Sequence, residues 1–189
     1  MILNKKHKAL TLIEALIWFA IFAAVVAGVF ALYGSSRDAN SLSRVNKEMA
    51  SMFTKANSLY AANGSDSVNG TDGTSGATVN EVMMQMGVIP ASLKIIGGTA
   101  YNEFGGTVKF ANRTNGFVII YTKIPSGKMC ANIIKAQKAI GWNFIVIGAI
   151  NRVTFDDNYD YNQIVTYCKG EGGVAAGTID LQFASCTNC

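Results

Sequence analysis

The chain has 189 residues, half of them hydrophobic and only 15% charged, a composition that suits one folded domain with an appendage and excludes a disordered polar tail. The net charge is +4, yet Lys5, Lys6 and Lys8 fall in the first nine positions and leave 13 of the 16 basic residues against 12 acids; that remainder lacks the basic face a nucleic-acid reader needs, and no nucleic-acid partner is expected. The single histidine, His7, lies in the same terminal stretch, so histidine-ligated metals and Ser/His or Cys/His nucleophiles are excluded, and no catalytic residue, cofactor or metal is expected.

Behind the basic run Lys5-Lys6-His7-Lys8 comes Leu10-Thr11-Leu12-Ile13-Glu14, and then 22 residues from Ala15 to Ser36 without a charge. As a helix that run is roughly 33 Å long, the thickness of a bilayer core. A cleaved secretory signal would carry a shorter apolar run and an Ala-x-Ala site. A plain anchor, oriented by its lysines, would leave Glu14 unexplained. A carboxylate at the start of a membrane helix costs a few kcal/mol unless it has a partner, and so marks function.

Lys8-Ala9-Leu10-Thr11-Leu12-Ile13-Glu14 followed by about twenty apolar residues resembles the prepilin signature of type IV pilins and the related pseudopilins. The resemblance implies that a prepilin peptidase/methyltransferase cuts between Ala9 and Leu10 and methylates the new terminus at Leu10. It implies too that Glu14 pairs with the terminal amine of a neighbouring subunit. The family usually has Gly before the cut, and Ala9, the next smallest residue, implies slower processing.

From Arg37 onward the charges return, but Leu42, Val45, Met49, Met52, Phe53, Ala56, Leu59 and Tyr60 recur at steps of three and four, one apolar stripe on a polar helix. With no proline from Leu10 to Ala62, the pattern predicts one helix of about 53 residues, roughly 80 Å long. Half of it is expected to project from the domain, and two heptads are too few for a coiled coil. Asn63 to Thr78 reads as a glycine-rich loop. Val79 to Met86 reads as a short helix capped by Thr78, with Val82, Met83 and Met86 inward.

Thr107 to Phe110 and Phe117 to Lys123 predict a β-hairpin turned by Asn115-Gly116. Before it, Asn102-Glu103-Phe104-Gly105-Gly106 resembles the Asn-Pro-Phe-Gly-Gly approach to the sheet in several type IVb pilins, with Glu103 in place of the proline. Further elements are a helix over Ser126 to Ile140, a strand over Phe144 to Ile147, an acidic turn over Asp156 to Asn162, a short helix over Tyr161 to Cys168, and a final strand over Thr178 to Ala184. Asp156, Asp157 and Asp160 lack the regular alternation of a calcium loop and read as a solvated turn.

Four cysteines allow three pairings. A redox Cys-x-x-Cys needs a helix behind it, which Cys186-Thr187-Asn188-Cys189 at the chain end does not have, and the spacings are poor for zinc. Structural disulfides place the globular part outside the cytoplasm. The resemblance implies that Cys130 pairs with Cys168, as in the bridge that closes the carboxy-terminal region of type IVb pilins, and Cys186 is then expected to pair with Cys189.

The expectation is an α+β pilin fold, a long projecting amino-terminal helix packed by its carboxy-terminal half on an antiparallel sheet. Its parts are a leader (1–9), a membrane and filament-core half of the helix (10–36), and a globular head containing the rest of the helix (37–189). Such a chain waits in the inner membrane and polymerises with identical subunits into an extracellular pilus. The implied partners are the peptidase, an assembly platform in the inner membrane and an unidentified surface receptor. A pseudopilin of a type II secretion system, a minor pilin and a membrane-anchored periplasmic binding module are the alternatives.

Overall fold

The computed structural model describes residues 12–63, 76–113, 116–156, 159–170 and 177–186. Helix α1 runs unbroken over Leu12–Asn63, 52 residues, and the chain divides into two compact units at the Asn40/Ser41 boundary. From Ala15 to Tyr33 the helix is uncharged all round, and thirteen large apolar side chains between Leu12 and Tyr33 are 50% to 81% exposed. That is the composition of a helix whose environment is lipid or protein rather than water.

The second unit is built on a seven-stranded antiparallel sheet in the order β1-β2-β3-β4-β7-β5-β6. The strands are β1 (Lys94–Ile96), β2 (Thr99–Tyr101), β3 (Thr107–Arg113), β4 (Gly116–Pro125), β5 (Phe144–Ile147), β6 (Asn151–Thr154) and β7 (Thr178–Cys186). Helices α2 (Gly76–Gln85), α3 (Lys128–Gln137), continued by a 3-10 turn at Lys138–Ile140, and α4 (Tyr161–Cys168) complete it. The last strand, β7, pairs with both β4 and β5 inside the sheet, so the sheet is complete only once β7 is in place.

The stripe on α1 packs as its spacing predicts: Val45, Met49, Met52, Phe53, Ala56 and Tyr60 are buried, with Leu42 and Leu59 packed beside them. Phe53 and Tyr60 meet Phe117 of β4 at ring-centroid distances of 6.1 and 5.1 Å, and Phe53 meets Trp142 edge-on at 4.5 Å. Such tilted and edge-on pairs each add about 0.5–1.5 kcal/mol beyond the area they bury. The opposite face of the sheet carries a smaller apolar group, Val118, Phe144 and Ala184, with the Arg152 guanidinium 3.8 Å from the Phe144 ring centroid.

Several expectations are corrected. Helix α2 begins at Gly76, so Thr78 lies inside it rather than at its boundary. Met86 follows the helix and is 58% exposed, while Asn80 joins Val79 and Met83 on the inner face. The reason is a ladder vacancy: β2 pairs with β3 only as far as Val108, and beyond that point Asn80 Oδ1 accepts the Phe110 N–H at 2.7 Å. Gly116 is not a turn residue but the first of β4, opposite Arg113 and Cys186. A Cβ there would lie 2.0 Å from the Ser185 carbonyl oxygen, which explains the glycine. Residue 115 lies outside the described residues.

Candidate functional site

Glu14 sits in the first turn of α1, with an exposed side chain. Ala9 and Leu10, the expected processing site, lie outside the described residues. The helix is long and apolar enough over its first part to cross a membrane.

At the other end of the molecule's sequence, Cys130 of α3 and Cys168 of α4 form a disulfide with Cα atoms 5.7 Å apart, both residues fully buried. The Gly127 N–H donates to the Cys168 carbonyl beside it. Asp160 caps α4 by accepting the Asn162 N–H at 2.8 Å, and Asp156 accepts the Thr154 hydroxyl at 3.0 Å. Two of the three acids of the turn thus have structural partners, and Asp157 lies outside the described residues. Cys186 on β7 is also disulfide-bonded, and Cys189, its expected partner, lies outside the described residues.

The turn into β3 shows what Asn102-x-Phe104-Gly105-Gly106 requires. Buried Asn102 accepts the Phe104 and Gly106 N–H groups at 2.9 and 3.0 Å and donates to the Thr122 carbonyl at 2.8 Å. Gly105 has φ +75°, and a Cβ on Gly106 would lie 1.8 Å from the Thr122 oxygen. Only glycine satisfies both positions.

Glu103, where the resembled motif has proline, takes a role that the sequence reading missed. Its carboxylate lies 2.9 Å from Arg44 Nη1, and Arg44 also donates to the Ser92 carbonyl at 2.9 Å and pairs with Glu48 at 3.2 Å. Arg44 therefore ties α1 to the segment leading into the sheet. The signal was present as an acid four residues after a base on one helix face. Glu48 also accepts the Ser92 hydroxyl at 3.0 Å, while its Oε2 and the Tyr121 hydroxyl are buried without hydrogen-bond partners. Burial first, and then the negative Glu48, push the Tyr121 phenol well above its ordinary value.

A continuous helix with an apolar amino-terminal half, its second half laid on an antiparallel sheet and a disulfide tying the two helices before the last strand, defines a type IVb-like pilin. A family model described as PilS N terminal matches residues 39–182, and the chain belongs to the PilS family. It is 28% identical over 167 residues to the "Major structural subunit of bundle-forming pilus" of Escherichia coli O127:H6 (strain E2348/69 / EPEC), covering 84% of this chain and 82% of that protein. It is 30% identical over 163 residues to the protein of the same description from Escherichia coli O111:H-, covering 81% and 78%. The NMR structure of a type IVb pilin (PilS) from Salmonella typhi aligns with a TM-score of 0.41 and 20% identity, covering 70% of this chain and 92% of that one.

Proposed function

We propose that this chain is the structural subunit of a type IVb pilus, trimmed and methylated at the inner membrane and then polymerised into an extracellular filament. The observation that carries this reading is the exposed apolar half of α1. Thirteen large apolar side chains between Leu12 and Tyr33 lie open among the described residues, and at about 1.5–3 kcal/mol each their exposure to water would cost roughly 20–40 kcal/mol. They require lipid before assembly and neighbouring helices after it. The likeness to major structural subunits of the bundle-forming pilus supports the same reading.

In this mechanism the precursor rests in the membrane with its globular unit outside the cytoplasm, the compartment in which its disulfides persist. The peptidase releases residues 1–9 and methylates Leu10. The assembly platform then extracts the subunit, and the apolar half-helices bundle while the sheet domains form the outer wall. Glu14 becomes tolerable in that apolar bundle by meeting a neighbour's terminal amine, because a buried acid must be paired. The chain acts as a building unit and a substrate of the peptidase, with no catalysis of its own.

The test is Glu14→Ala, at an exposed position of α1. The variant is expected to accumulate folded and membrane-inserted, with the Cys130–Cys168 bridge formed, yet to be absent from fibres sheared off intact cells. Fibres at normal abundance would remove the acid from assembly.

A further inference from the structure

Beside the Cys130–Cys168 bridge, α3 and α4 flank a half-open groove that has no role in the proposed assembly mechanism. Its volume is about 210 Å³, below the roughly 300–1,000 Å³ of sites that take drug-sized ligands. It therefore suits a ligand of about one ring. Its lining residues are Gly127, the apolar Ala131 and Val165, the aromatic Tyr161, the polar Asn132, and the basic Lys128 and Lys169. Lys135 brings a third positive charge, 5.6 Å from the Tyr161 ring centroid. No carboxylate lines the groove among the described residues, and Asp160, next to Tyr161 in the chain, is occupied in capping α4.

We propose that the α3–α4 groove binds an acidic monosaccharide, a pyranose ring carrying a carboxylate, such as stands at the end or branch of a glycan. The lining asks for a ligand with three properties at once. It needs apolar ring faces to set against Tyr161 and Val165, hydroxyls to exchange hydrogen bonds with Asn132, and a negative charge between the lysines. A neutral sugar leaves the ammonium groups without a partner. Inorganic phosphate offers nothing to the apolar wall. The disulfide holds the two helices together before the ligand arrives, so little ordering cost falls on binding. The groove is present in the single subunit.

The experiment is saturation-transfer NMR on the full chain in detergent micelles, with N-acetylneuraminic acid and methyl glucuronide as acidic probes and methyl galactoside and inorganic phosphate as controls. Both acids are expected to bind at least tenfold more tightly than either control, and less tightly as salt is raised. The double variant K128Q/K169Q should weaken both acids about tenfold, roughly threefold for each exposed charge. Val165→Trp, which fills the groove, should abolish binding, and Lys109→Gln on β3 should change nothing. Peptide mapping of the Cys130–Cys168 bridge verifies that each variant is folded, and the surface pair K128Q/K169Q carries the test where Val165→Trp disturbs the helix packing. Failure of both acids to bind, equal binding of the neutral sugar, tighter binding of phosphate, or full binding by K128Q/K169Q would overturn the proposal.

Discussion

Removing the Cys130–Cys168 bridge tests how the carboxy-terminal half of the domain is held. The cysteines are 38 residues apart in sequence, and on the loop-entropy relation a loop of that length restricts the unfolded chain by about 4 kcal/mol at 25 °C. A domain's whole stability is about 5–15 kcal/mol, so the double variant C130A/C168A should lose a large fraction of it. Alanine is the right replacement because both positions are fully buried and serine would add two buried hydroxyls in need of partners. For a domain of this size each kcal/mol moves the melting temperature by about 2–4 °C, giving an expected fall of about 8–16 °C. The comparison is C186A/C189A, which removes the second bridge we propose between Cys186 and Cys189. A bridge closing a four-residue loop contributes only about 2 kcal/mol on the same relation, and its loss should lower the melting temperature about half as far. Thermal unfolding of the full chain in detergent, followed by near-UV circular dichroism, reads both. Equal falls for the two pairs, or a fall below about 3 °C for C130A/C168A, would refute the loop-length reasoning.

Three further outcomes follow from the interior. Gly106→Ala should destabilise the fold by more than about 3 kcal/mol in a denaturant titration, because the new methyl meets the Thr122 carbonyl at 1.8 Å and backbone must move. Asn80→Ala should cost about 1–3 kcal/mol in the same titration by leaving the buried Phe110 N–H without an acceptor. Burial raises the Tyr60 phenol from 10 to about 12, so between those values the folded chain holds a proton that the unfolded chain has lost. Tyr60's stabilising contribution is complete below pH 10 and disappears as pH climbs through 12. Stability measured across that window should fall with pH, and Tyr60→Phe should fall less steeply.

The parts of the fold most legible in the sequence were those with a long period. The stripe from Leu42 to Tyr60 and the uncharged run from Ala15 to Ser36 repeat often enough to fix both the helix and its two environments. Strands β1, β2 and β6 escaped because three or four residues are too few to show alternation. Yet Ile96-Gly97-Gly98-Thr99 held a usable hairpin signal: both glycines adopt positive φ, +55° and +74°, the demand of a two-residue turn. Turn chemistry also misled in one place, since Gly116 is present for close approach to β7 rather than for a turn. The Arg44–Glu48–Glu103 tie was hidden because its ends lie far apart in the chain, and only the Arg44 to Glu48 spacing pointed to it. The groove between α3 and α4 was invisible for the same reason, its lysines being contributed by two separate helices.

The most direct test of the filament account is the mass of the amino-terminal peptide in fibres sheared from intact cells. The account predicts that this chain is the main protein of the fibre, that its first residue is Leu10, and that the peptide is heavier than its sequence by one methyl group. Fibres that lack the chain, or that contain it with Met1 retained, would contradict it.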